Sequence, residues 1–138
     1  MRKTVTLFAA TALAVTLASG TASATPGSGV AGTILAQKTI GHTDYTLREI
    51  TIQPGGYTGW HFHDGTLYAY VKAGTLTHNL ADCSIDGVFG TGRAFTEKPD
   101  QVHIGRNLGT TPLVLEVLYV LPAGSPLSED APDPGCGF

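Results

Sequence analysis

Gly55-Gly56-Tyr57-Thr58-Gly59-Trp60-His61-Phe62-His63 is the stretch on which the fold reading turns. In an extended chain, residues two apart project to the same face. His61 and His63 therefore share a side, and Trp60 and Phe62 face the other way. By the same parity Tyr57 shares the histidine side, which makes it a candidate cavity-lining and catalytic residue. Pro54-Gly55-Gly56 precedes the stretch as a turn signal.

Working outward, short runs rich in apolar, aromatic and β-branched residues alternate with turn residues. Ala31 to Ile40, Tyr45 to Ile52, Leu67 to Ala73 and Thr75 to Leu80 read as strands, with Gly74 as the tight turn between the last two. Residues 79–92 read as a looser segment holding Cys83. Arg93 to Glu97 and Val102 to Arg106 are short strands around Pro99-Asp100. Leu113 to Leu121 is the most apolar run, bracketed by Pro112 and Pro122. The final segment, Ala123 to Phe138, is rich in Pro, Gly and acids and reads as a surface tail. No long window carries a helical stripe. Short strands at regular spacing with Gly/Pro punctuation predict an all-β sandwich or barrel.

The first residues read differently. Arg2 and Lys3 precede an uncharged, mostly apolar or small run, Val5 to Ala18, and Ala22-Ser23-Ala24 supplies small residues at a cleavage site. This predicts a signal peptide over 1–24, cleaved after Ala24, and a secreted, extracellular protein. The apolar run is shorter than the roughly 20 residues that span a bilayer. A lead-in segment of 25–30, a barrel of 31–122 and a tail of 123–138 complete the organisation, a single domain after the signal peptide.

Removing Arg2 and Lys3 from the 8 basic residues leaves 6 against 11 acidic ones, a formal charge of −5. There is no basic stripe, so neither nucleic acid nor, after cleavage, a membrane surface is an expected partner. No Gly-rich phosphate loop, nucleophile elbow or Cys–His dyad is present. Cys83 and Cys136, an even pair in an exported chain, are expected to form a disulfide. It would tie the tail to the domain and stabilise by about 4 kcal/mol in the chain-entropy model.

The chemistry rests on histidines. Two imidazoles on one strand face can reach one metal ion at about 2.0–2.2 Å. A third nitrogen must come from another strand, and His103 is placed to supply it. Gly55, five residues, His61-x-His63 and then Gly74 resemble the first motif of the cupin superfamily. Gly92, ten residues, His103, three residues and then Asn107 resemble the second. The resemblance implies a small antiparallel jelly-roll β-barrel with its site inside. It also implies a divalent transition metal (Fe, Zn, Mn, Ni or Cu) on His61, His63 and His103. Two departures stand out. The family's usual carboxylate position, three residues beyond the second histidine, is Leu67, and Pro99 is shifted by one with Asp100 where Gly is usual. Without that carboxylate the expected site is a face of three neutral imidazoles.

Glu116 interrupts the apolar run of Leu113 to Leu121. It is a candidate substitute ligand or general base, or else the ion-pair partner of a cation such as Arg48 or Arg106. Asn107 reads as a turn cap, and His42 and His78 read as surface histidines, with His78 a distant ligand candidate because it alternates with Leu76. Two functions follow. One is a metal-dependent enzyme acting on a small molecule, a dioxygenase first and an isomerase or lyase after it. The other is a non-catalytic barrel that binds a small ligand or a metal. A homodimer is compatible with both.

Overall fold

A computed structural model describes residues 26–138. The signal peptide expected over 1–24 lies outside the described residues. Ten strands follow in order: β1 (Ser28–Ile40), β2 (Thr43–Tyr57), β3 (His61–Phe62), β4 (Thr66–Ala73), β5 (Thr75–Leu80), β6 (Ile85–Gly90), β7 (Ala94–Glu97), β8 (His103–Arg106), β9 (Leu113–Pro122) and β10 (Glu129–Asp130). All pairings are antiparallel. One layer runs β1-β2-β9-β4-β7 and the other β6-β5-β8-β3-β10. A single pairing, Tyr57 with Arg106, joins them along β2. The result is a nearly closed jelly-roll barrel, as the sequence predicts.

Strand alternation decides what goes inside. On β9, Leu113, Leu115, Val117, Tyr119 and Leu121 are buried. They pack against Ile50 and Ile52 of β2, Leu67, Ala69 and Val71 of β4, and Leu76 of the opposite layer. A second, smaller cluster of Trp60, Ile104 and Ala131 lies on the far face of β3 and β8, with Tyr57 and Phe62 against it.

Three readings of the chain change here. Pro54-Gly55-Gly56 is not a turn between strands but a kink inside β2. Gly55 takes a positive φ of 75°, a conformation with little steric penalty only for glycine. Around this kink the Gly55 amide donates to the Asn107 carbonyl, and the Asn107 amide donates to Gly56, handing β2 from one layer to the other. Residues 79–92 contain a strand, β6, paired along β5. The segment after Pro122 is not a surface tail. It supplies β10, which pairs with β3 through Glu129–Phe62 and Asp130–His61. It also buries Ala131 and stacks Phe138 beneath the Arg106 guanidinium at 3.6 Å. The Cys83–Cys136 disulfide is formed and closes this segment over the outer cluster.

Candidate metal centre

The three motif histidines converge inside the barrel. His61 on β3 is the direct cross-strand partner of His103 on β8, with ring centroids 4.4 Å apart. His63 follows β3 and stands 4.9 Å from His61 and 5.2 Å from His103, centroid to centroid. One ring nitrogen from each of the three lies within 4.8 Å of the other two.

The structure adds Glu97, which the sequence reading did not place here, and His78, which it held only as a distant candidate. His78 is not a surface histidine. It is buried on β5, diagonal to His103 across the β5–β8 ladder, with its ring 4.7 Å from that of His103. Glu97 reaches across from β7 of the opposite layer. Its carboxylate lies 3.3 Å from His63 Nε2, 3.5 Å from His103 Nε2 and 3.4 Å from His78 Nε2. Glu97 is also the register partner of Leu67. The carboxylate missing from the first motif has its counterpart on the neighbouring strand, on the same ladder rung. The expected face of three neutral imidazoles is therefore corrected to imidazoles with a carboxylate among them.

The tautomers follow from the outer ring nitrogens. His61 Nδ1–H donates to the Gly59 carbonyl at 2.9 Å, His63 to Leu127 at 2.7 Å and His103 to Gln101 at 2.7 Å. His78 Nδ1–H donates to the Asp86 carboxylate at 3.1 Å. A neutral imidazole has one N–H, so in each ring Nε2 carries the lone pair and turns it inward. The Nε2 atoms of His63, His78 and His103 are buried and have no hydrogen-bond donor among the described residues. Glu97 cannot serve them, because an ionised carboxylate only accepts. Buried acceptors facing one another are costly unless a cation stands between them. The donor set and its second-layer oxygen acceptors match what a metal-ligating imidazole requires.

The electrostatics agree. Burial pulls His61 and His103 down to about 4, against the opposing pull of Glu97, so both are neutral at physiological pH. Burial pushes the Glu97 carboxyl up, but donation from His63 and His78, when a proton rather than a cation occupies their Nε2 atoms, outweighs it and holds the group well below the usual carboxylate range. Burial raises the Tyr119 phenol above its ordinary value.

The other candidates lie elsewhere. Glu116 sits on the outer face of β9, opposite Glu49 on β2 and Tyr70 on β4, where its charge acts on Lys72 rather than on Arg48 or Arg106. The Tyr57 side chain packs into the outer cluster with Trp60, not beside the histidines, because the break between β2 and β3 at Thr58–Trp60 resets the parity between Tyr57 and His61. Asn107 does cap its turn: its amide donates to the Ile52 and Thr111 carbonyls and its Oδ1 accepts from the Gly109 amide.

Two spaces adjoin the cluster. Behind it, Leu67, Leu76, Phe95, Leu115 and Val117 help enclose about 40 Å³, room for only a few waters. In front, a vestibule of about 200 Å³ is bordered by Arg48, Thr58, His61, His63, Tyr119 and Asp130.

A family model for the cupin domain, Cupin_2, matches residues 48–121. No curated protein matches the chain. Among solved structures, the polyketide cyclase RemF from Streptomyces resistomycificus is 20% identical, with a TM-score of 0.60, and the match covers 80% of this chain and 79% of that one. A cupin domain from Bordetella pertussis Tohama I is 22% identical with a TM-score of 0.57, covering 70% and 95%. KdgF from Halomonas sp. is 20% identical with a TM-score of 0.54, covering 65% and 77%. At these identities the likeness is one of fold.

Proposed function

The chain belongs to the cupin family, and on that premise we propose that it is a metal-dependent enzyme of small-molecule chemistry, with a divalent transition metal held by His61, His63, His103 and Glu97. The observation that carries this reading is the convergence of the buried Nε2 lone pairs of His63, His78 and His103 on Glu97, with His61 grouped beside His63 and His103 and every Nδ1–H already committed to an oxygen. Such a donor set suits zinc, iron, manganese, nickel or copper. The bound metal would supply Lewis acidity, or oxygen activation if it is iron, in which case a dioxygenase is the leading reaction class.

The chain's own residues do the rest. Glu97 would offset one charge of a bound divalent ion. Gly59, Gln101 and Leu127 hold three imidazoles in the ligating tautomer through their carbonyls. Leu67, Leu115 and Val117 confine the space at the rear to a few waters. His61 and His63 border the vestibule, from which a small molecule would reach the centre. The disulfide supports action outside the cytoplasm.

His78 favours a second reading, because a fifth donor beside Glu97 would leave little room for substrate and make the centre a closed, non-catalytic one. Metal analysis of protein purified without a polyhistidine tag tests the site itself. About one equivalent of a transition metal is expected, and almost none in His103→Ala. Less than about 0.1 equivalent, unchanged in that variant, overturns it. Replacing the metal by cobalt then separates the two readings: exchangeable water on the ion supports the enzyme, and a ligand sphere without water supports the closed site.

A further inference from the structure

Arg48 is a cation on the wrong face of its strand. On β2 the inward positions are Thr46, Ile50 and Ile52, all buried, and Arg48 belongs to the same parity. Its register partner on β9, Val117, is a core residue. The half-buried guanidinium lies over Gly32 of β1, where a Cβ would collide with it, and against the Tyr119 hydroxyl. The ion pairs among the described residues are all made by other groups, and no carboxylate lies within ion-pair distance of Arg48. A partly desolvated guanidinium without an anion is an incomplete arrangement, and its planar fork matches a carboxylate.

The place of the gap is informative. Arg48 borders the vestibule that His61 and His63 also border. Asp130 is the other charged residue at the mouth and is exposed on β10. Glu97 lines the inner space behind the histidines rather than the vestibule. That inner space adjoins the vestibule along His61, His63 and Tyr119 and is by itself too small for an organic ligand, so the bulk of a substrate would sit in front, in the 200 Å³ shared by Arg48 and the histidines. We infer that the vestibule is built for a small carboxylate, its anionic group seated on Arg48 beside Tyr119 and the remainder directed at His61 and His63. This deepens the metal-centre reading and rests on it only for what the far end of the ligand meets.

The test uses acetate as the probe and acetamide as its neutral isostere. Each is titrated into metal-free and zinc-loaded protein while the backbone amide shifts of Arg48, Thr58 and Tyr119 are followed. Acetate is expected to bind at least about tenfold more tightly than acetamide. Arg48→Gln should weaken acetate by about 10- to 100-fold, the loss of a charge-assisted bond, without changing zinc affinity. Asp130→Asn, on an exposed residue with no role in folding the core, should tighten acetate two- to threefold by removing the competing charge, roughly what an exposed pair contributes. Equal binding of acetate to wild type and Arg48→Gln, or equal binding of acetate and acetamide, overturns the inference while leaving the metal centre standing. If zinc fails to bind, the metal reading falls, and the metal-free titrations still decide the role of Arg48.

Discussion

Leu67 and Glu97 occupy one rung of the β4–β7 ladder, Leu67 fully buried and Glu97 nearly so. Cross-strand partners on one face have Cβ atoms about 4.5–5.5 Å apart, so a carboxylate on either residue addresses the same space. The motif histidines were legible in the sequence because period-two alternation and fixed spacing put them on one face. Glu97 was not, and His78 only faintly, because their membership depends on which strands become neighbours, and local pattern carries little such information. A signal for His78 did exist: it alternates with the apolar Leu76, which marks an inward parity. The rung predicts a rescue. Glu97→Leu alone should weaken zinc binding by about 100-fold or more, beyond the 10–100-fold typical of an outer-layer change. Adding Leu67→Glu should recover most of that loss, read by competition with a chromophoric chelator. A double variant as weak as Glu97→Leu would show that the carboxylate must come from β7.

At the scale of elements, the kinked β2 and the turn after β8 work as one unit. Asn107 spends its whole amide on that junction, joining Ile52 of β2 to Thr111 and Gly109 of the turn before β9. Because β2 lines the vestibule and β8 carries His103, the junction fixes the distance between them. Asn107→Ala would leave buried carbonyls without donors and should destabilise by about 2–4 kcal/mol, seen as a lower denaturant midpoint at unchanged slope. A loss below about 0.5 kcal/mol, the usual size for a surface change, would mean that water replaces the amide there. Most strands were readable from alternation. β6 was not, because its exposed Ile85 and Val88 and its two glycines give no clean inward face. The Pro-Gly-Gly kink misled because turn residues also serve a strand that changes layers.

Across the whole molecule, the barrel is closed from outside by its own C-terminal segment. Leu127 holds His63 through its carbonyl, Asp130 pairs with His61 along β10, and Cys136 bonds to Cys83 in the turn between β5 and β6. The two residues are 53 apart in sequence, so the bond removes a large share of the unfolded chain's freedom. Its turn position is itself demanding, since Cys83 takes a φ of 70°, where non-glycine residues are uncommon. The composition of the segment read as a tail because Pro and Gly exclude long strands. What it contributes is a two-residue strand, one carbonyl and a few buried side chains, none of which leaves a periodic trace. Its attachment couples stability to the site. Cys136→Ser should lower unfolding stability by up to about 4 kcal/mol. It should also weaken metal binding by about tenfold, because freeing the segment loosens the acceptor that orients His63. Thermal melts with and without zinc, beside a chelator competition, measure both effects. A stability loss with zinc affinity unchanged would separate the closure of the barrel from the centre it encloses.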